Sequence, residues 1–478
     1  MPEQPADTSG ANRLVGETAV VVGASMAGLC AARVLSERFA TVVVLDRDEL
    51  AGEPEPRRLV PQGRHPHLLL TAGARLLEGW FPGLLDELCA GGAVDVDICG
   101  DFYWYQAGGC QRRPASGLRG PAMSRPMLEH TVRRRVGALG NVVIRGDTTA
   151  EGLIVDGSGA RITGVRADGA AIDCDLVVDA SGRAARSLGW LGELGFEPPP
   201  VSVVEVDTRY VSRVYRRVDT PARDWKAAAV IGDPDSKRLA MLLPMEGDRW
   251  IVTVAGVNGE SAPTDPDAML AYARTLESPV IAEVMEMSEP LTDPVTHRFP
   301  ANQRRHIERM RRFPLGWVPI GDAVCSFNPI YGQGMTTAAL QAQALGQQLD
   351  RAGRIDRSFA RAYFKAAGRT VSTPWSIAVG GDFVYKGTTG KKPFGTAAVN
   401  RYMDRVIIAG QHDDEVVIRL NETLSLLRSP QTLMAPAFMF RVLRAARRGA
   451  ATPSPAATGH TASPSGDVTG GRGTFVSS

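Results

Sequence analysis

The chain has 478 residues, 44% of them hydrophobic and 22% charged, with a formal net charge of +2. This is the length of two or three domains and the balance of an ordinary folded enzyme, and it excludes the one-signed field of a nucleic-acid binder. The six cysteines (Cys30, Cys89, Cys99, Cys110, Cys174, Cys325) form no C-x-x-C pair, so they read as reduced thiols of a cytoplasmic protein, with neither a disulfide framework nor a metal site.

Residues 1–16 are polar and read as a disordered N-terminus. The apolar run Ala19–Val22 predicts a buried parallel strand, followed by a tight turn from Gly23 to Gly28 and a helix to about Arg38. Thr41–Leu45 predicts a second buried strand that ends in Asp46. This is the order of a dinucleotide-binding βαβ unit, in which helix-start amides face a diphosphate and the acid takes a ribose. The fingerprint departs from G-x-G-x-x-G at one place, where Ser25 stands for the middle glycine. Thr18–Ala32 is no signal peptide, because it lacks a basic leader and runs on into the βαβ pattern. No apolar run reaches the roughly 18–20 residues of a membrane span.

Further along, Met127–Leu139 predicts a helix, Asn141–Arg145 a strand, and Leu153–Val155 with Arg161–Arg166 a hairpin. Asp175–Asp179 is another buried strand, followed at once by Ala180-Ser181-Gly182-Arg183. Residues 201–300 read as a β-rich substrate domain inserted into the nucleotide domain, with strands at Val203–Arg216, Leu239–Pro244 and Trp250–Val254. Helices follow near Asp267–Thr275 and Val280–Met287. Residues 301–355 return to the nucleotide domain: a short strand Trp317–Ile320, the pair Gly321-Asp322, a loop, and a helix Met335–Leu349. Residues 356–449 read as helical, and 450–478 as a disordered tail of small and polar residues. The segment Thr432–Arg448 mixes apolar and basic residues and is interrupted by Pro436; packing on the main body is favoured over contact with a membrane surface. The fold class expected is α/β: a Rossmann-type nucleotide domain, an inserted β-rich domain and a C-terminal helical region.

Three separated motifs agree: Gly23–Gly28 with Asp46, DLVVDASGR at 175–183, and GDAVCSFNPIYGQGM at 321–335. Together they resemble the FAD-dependent monooxygenases with a single Rossmann-type FAD domain, the aromatic-hydroxylase and squalene-epoxidase-like group. The resemblance narrows to the bacterial polyether-type polyene epoxidases through LVPQGRHPHLLLTAGARLLEGWFPG at 59–83 and SRPMLE at 124–129. It covers about residues 17–350, with a looser helical match to about 445. It implies FAD contacts from Gly23, Ser25, Met26, Ala27, Gly28, Asp46 and Arg47, and from Arg64 and His65 in the loop after the second strand. It implies that Arg125 reaches the FAD phosphates and that Asp179 and Gly182 lie near the cofactor. It implies that Gly321-Asp322 holds the ribityl chain and that Gly332, Gly334 and Met335 place helix-start amides at the flavin pyrimidine edge. Phe327, Pro329 and Tyr331 of the third loop, with residues from Tyr210–Tyr215 and Leu239–Pro244 of the inserted sheet, become candidates for an apolar substrate pocket.

Other readings of single residues are weaker. His65 and His67 form an H-x-H pair, but no neighbouring third ligand completes a metal set. Cys325 lacks a placed base and reads as a packed thiol. The chemistry implied by the resemblance is a flavin C4a-hydroperoxide that delivers oxygen to a C=C bond of a lipophilic polyene, polyketide or terpenoid intermediate in natural-product, antibiotic-type biosynthesis. The protein then supplies orientation and dryness in place of a strong base. The partners are a hydrophobic small molecule and O2, with NAD(P)H reducing the flavin directly or through a separate flavin reductase, since no second dinucleotide unit is present. The alternatives are a hydroxylase on the same scaffold or a flavin-dependent reductase of the geranylgeranyl-reductase kind. A flavin halogenase is disfavoured, because there is no W-x-W-x-x-P stretch and no clear catalytic lysine.

Overall fold

The structure, a computed structural model, describes residues 14–58, 60–219 and 223–450. The tail from 451 onward and residues 1–13 lie outside them. The nucleotide unit is built on five parallel strands in the order Trp317–Pro319, Leu176–Asp179, Gly16–Val22, Phe39–Leu45, Val142–Arg145. Ala19, Val20, Val21, Val42 and Val44 are fully buried, because helices cover both faces of a parallel sheet. The helix Met26–Leu35 and the long helix Gly334–Ala352 pack against each other beside it.

The first helix ends at Leu35, three residues short of the expected boundary. Arg38 caps that end: its guanidinium donates to the Val34 carbonyl of the last turn and pairs with the Asp350 carboxylate of the long helix at 2.6 Å. The predicted hairpin is a three-stranded antiparallel sheet, Ala150–Val155, Ile162–Ala167 and Ala170–Asp173.

The inserted region is one large, mostly antiparallel sheet. Its order is Cys325–Ser326, Val295–Arg305, Val201–Arg216, Arg249–Val257, Arg238–Met245, Ala227–Ile231, Phe102–Gln106, Gly109–Cys110. The sheet therefore outruns the expected limits of 201 and 300. It gains a parallel strand from residues 102–106, with Gly109–Cys110 as the edge beyond it, and continues to Arg305. Helices Pro266–Arg274 and Val280–Met287 cover its outer face through Met269, Ile281 and Val284. The inner face turns toward the nucleotide unit, where Ala227, Ala229, Leu243 and Ile251 meet Leu68, Val96 and Ala122.

Residues 357–450 are helical apart from short turns and one two-residue strand, Thr389–Gly390. Pro436 opens the last helix, Pro436–Ala450, instead of interrupting it; the first helical position needs no N–H donor. Phe438, Val442 and Ala445 of that helix are buried against Tyr402, Val406 and Ala409. Among the described residues no helix is long and apolar enough to cross a membrane.

Candidate functional site

The first motif forms a cradle that only glycines permit. Gly23 has φ +111°, and a Cβ there would lie 2.5 Å from the Ala180 carbonyl oxygen. A Cβ on Gly28 would lie 1.8 Å from the carbonyl oxygen of Gly23. The turn thus lies against the second motif and delivers the chain into a ten-residue helix with no acid in its first turn. Its unpaired amides and dipole make an anion site. Asp46 stands at the adjacent strand end, accepting from Ala24 N at 2.7 Å and Asp48 N at 2.9 Å.

Two residues at this cradle had not been singled out in the sequence. Arg57 pairs with Asp46 at 3.0 Å and with Glu129 at 2.8 Å. Glu129 is buried, accepts from Ser25 Oγ at 2.8 Å, and pairs with Arg125 Nε at 3.2 Å. Arg125 Nη2 donates to Ser25 Oγ at 2.8 Å. The serine in the fingerprint therefore ties the turn to the Arg125–Gly137 helix. The spacing Arg125-x-x-x-Glu129 is an i,i+4 pair, and that was the available signal. Arg47 and Arg64 are exposed beside the cradle.

The third motif touches the first. Gly321 has φ +66°, and a Cβ on it would lie 2.7 Å from Ala27 Cβ. Asp322 follows; its carboxylate has no hydrogen-bond partner among the described residues. Burial pushes its pKa up, against the pull of Arg125, Arg183 and Arg305. The second motif supports the other two from below. Asp179 is fully buried and holds its own loop, accepting from Ser181 N at 2.9 Å and from Ser187 Oγ. Gly182, at φ +75°, carries that loop round to Arg183, whose Nη1 donates to Ser326 Oγ at 3.0 Å. Gly332, at φ +65°, turns the chain into the helix that starts at Gly334 and Met335.

Opposite these loops stands the inner face of the large sheet, on which Tyr210, Ser212, Thr253 and His297 sit side by side. His65 reaches across to it: Nδ1 lies 2.7 Å from Ser212 Oγ, and its ring lies 5.5 Å from that of His297. His67 turns away and bonds the His65 carbonyl at 2.8 Å through its own Nδ1. Burial lowers His65 to about 4 and His67 to about 3, and also depresses His297. All three imidazoles are neutral near pH 7. Of the pocket candidates, Phe327 packs into the core of the nucleotide unit, Pro329 is exposed, and Tyr331 turns its hydroxyl to Asp382 at 3.0 Å. Among the described residues no cluster of three His, Cys, Asp or Glu side chains could hold a metal. Cys325 is buried, and burial raises its thiol pKa well above the ordinary value, which removes it as a nucleophile at neutral pH.

Glycines that a Cβ would block, a first helical turn without an acid of its own and a carboxylate that accepts no hydrogen bond from the described residues, with three arginines acting on it, fit a flavin dinucleotide. The comparisons agree. The model of the FAD binding domain family matches residues 17–354. Protein Rv3254 of Mycobacterium tuberculosis (strain ATCC 25618 / H37Rv) is 36% identical over 387 residues, 78% of this chain and 81% of that protein. Among solved structures, the flavin-dependent brominase Bmp2 superposes with a TM-score of 0.62 at 16% identity, covering 90% of this chain and 98% of its own. PqsL, a probable FAD-dependent monooxygenase from Pseudomonas aeruginosa, gives 0.56 at 19% identity, covering 78% and 98%.

Proposed function

Because this chain belongs to the FAD binding domain family, we propose that it is an FAD-dependent monooxygenase that epoxidises C=C bonds of an uncharged, lipophilic substrate. Bound FAD supplies the oxidative chemistry, drawing electrons from NAD(P)H and one oxygen atom from O2. The chain's own residues bind, orient and exclude water. The Gly23–Gly28 turn, Arg125 and the first helix start would hold the diphosphate, Asp46 the adenosine ribose, and Asp322 the ribityl chain. The start of the helix at Gly334 would place its positive end by the ring, where reduction adds negative charge.

The observation that carries the substrate class is the sheet face opposite these loops. It is apolar over Leu243, Met241 and Ile251, and beside them stand the hydroxyls of Ser212 and Thr253 and the neutral imidazoles of His65 and His297. Among the described residues the arginines that border this face are already engaged, Arg249 with Glu246 at 3.0 Å and Arg183 over the Phe299 ring, and its imidazoles are weak bases. Such a face suits a chain that needs only to be held still in a dry site. The six lysines of the sequence give no support to a lysine-dependent halogenase. Lys226 binds Asp101, Lys237 the Asn258 carbonyl and Lys386 Asp235, while Lys365, Lys391 and Lys392 are exposed.

The test is aerobic turnover of a polyene panel with FAD, NADPH and an added flavin reductase under 18O2. Products carrying one heavy oxygen per lost alkene support the proposal. Unlabelled, hydrogenated products would replace it with the reductase reading, and labelled phenols or alcohols with the hydroxylase reading.

A further inference from the structure

The loop of the third motif is tied to a buried carboxylate that the reading above does not use. Asp382 ends the helix Ser372–Asp382 and is fully buried. One of its oxygens accepts from Asn302 Nδ2 at 2.6 Å. The other accepts from Asn328 Nδ2 at 3.1 Å and from Tyr331 Oη at 3.0 Å. The ionisable groups that face it are the phenols of Tyr331, Tyr210 and Tyr385; no cation bonds to it among the described residues. Gly381 makes room for this arrangement, since a Cβ there would lie 2.2 Å from Tyr331 Oη.

An ionised carboxylate only accepts, so both amides must turn their NH2 groups toward Asp382. Their oxygens then point the other way. Asn302 Oδ1 accepts from the backbone N–H of Asn328 at 2.7 Å. Asn328 Oδ1 accepts from the Tyr210 hydroxyl and caps Ile330 N at 3.4 Å. One carboxylate thus fixes both the main chain and the side chain of Asn328, and with them the turn that leads to Gly332. Tyr210 belongs to the inner sheet face, so the same bonds join the turn to the substrate side.

We propose that Asp382 is a positioning residue for the flavin: through the amides of Asn302 and Asn328 it locks the Phe327–Gln333 turn in its cofactor-facing geometry. The inference rests on the reading of that turn as the one that meets the flavin ring. Burial raises the Asp382 carboxyl to about 6. Its protonated form carries a hydrogen to which one of the three converging donors must give way, so the lock slackens as pH falls through that region.

The test is FAD affinity, read from recovery of free-flavin fluorescence at pH values from about 5 to 8, on full-length protein. No turnover is needed, so failure of the epoxidase reading leaves this test intact. The wild type should lose roughly tenfold in affinity on acidification, a change of about 1.4 kcal/mol. Asp382→Asn should bind FAD weakly at every pH, with a flat profile, because its own NH2 faces one of the amides. The exchanged pair Asn328→Asp with Asp382→Asn restores one carboxylate facing one amide and should recover affinity at high pH. Tyr331→Phe removes one donor to the carboxylate and should move the midpoint of FAD release to higher pH. The proposal is overturned if Asp382→Asn keeps the wild-type affinity and profile. It is equally overturned if the exchange recovers nothing. Should Asp382→Asn fail to fold, an unmoved midpoint in Tyr331→Phe overturns it.

Discussion

Gly321→Ala is the most direct probe of the contact between the first and third motifs. Gly321 has φ +66°, and its hypothetical Cβ meets Ala27 Cβ at 2.7 Å. Two terms add. The left-handed backbone costs an alanine about 1–2 kcal/mol, partly offset by about 0.4–1 kcal/mol from a stiffer unfolded chain. Carbon atoms rest about 3.5–4.0 Å apart, so the third-motif loop and the first helix must also separate by roughly 1 Å, an overpacking strain of about 1–3 kcal/mol. Gly353 supplies the control. It has nearly the same φ, +62°, at the far end of the long helix, and nothing lies within 4 Å of its Cβ position. Gly353→Ala should therefore show the backbone term alone. Urea unfolding of both variants, alongside flavin-fluorescence titration, separates the terms. Gly321→Ala should lose more stability and also about tenfold or more in FAD affinity, whereas Gly353→Ala should lose only stability. Equal FAD affinity in the two variants would refute the idea that the cradle and the third motif hold one ligand together.

Four further outcomes follow from the same geometry. Asp46→Asn removes the charge that holds Arg57 and two backbone amides, and should weaken FAD by about 1.5–3 kcal/mol in the same titration; an unchanged affinity would place the ribose elsewhere. Thiol titration of the native protein should show Cys89 reacting first, because it is exposed while burial raises Cys30 and Cys174 to about 12 and Cys99 to about 11. Cys325→Ser should keep FAD and turnover, and loss of turnover with FAD retained would return the thiol to the mechanism. His67 is held neutral well below the ordinary histidine range, so it favours the folded state above about pH 6.5 and withdraws that support as pH falls toward 3. His67→Gln should therefore flatten the acid limb of stability measured by urea midpoints, and a limb as steep as the wild type's would exclude this origin.

The parts legible in the sequence were those with local causes. The strand–turn–helix–strand at 16–45 is written in consecutive apolar runs and in glycines that a Cβ would block, and Asp46 follows from the strand end. The parts that were missed are set by partners far along the chain. Strand Phe102–Gln106 pairs with Ala227–Ile231, more than a hundred residues later, and nothing near Tyr103 announces that partner. Arg57 lies in a polar stretch, and its two carboxylates come from Asp46 and Glu129. Asp382 follows two glycines at a helix end, and only the folded chain shows three donors converging on it. The inner sheet face was half visible. Alternation in Val203–Arg216 separates Tyr210 and Ser212 from Val211 and Tyr215, but which set meets the cofactor depends on the helices that cover the other side.

Asp382 and the neutral histidines should also leave opposite marks on stability between pH 4 and 6. The Asp382 carboxyl titrates near 6 when folded and near its ordinary 3.8 when unfolded. In that interval the native chain holds the proton more tightly, so stability falls as pH rises, by roughly 3 kcal/mol across the interval. His65 and His67 behave in reverse: there the unfolded chain binds the protons, and stability climbs with pH. Asp382→Asn removes only the falling contribution. Relative to wild type, the FAD-free variant should therefore gain about 1.4 kcal/mol per pH unit through this interval, whatever constant loss its mismatched amide imposes. Urea midpoints on FAD-free protein at several pH values give that difference without interference from cofactor binding. A difference that stays level would mean that Asp382 is already ionised in the folded chain at pH 4. A gain in stability together with poorer FAD retention near neutrality would show that the buried charge is kept for the cofactor at the expense of the fold.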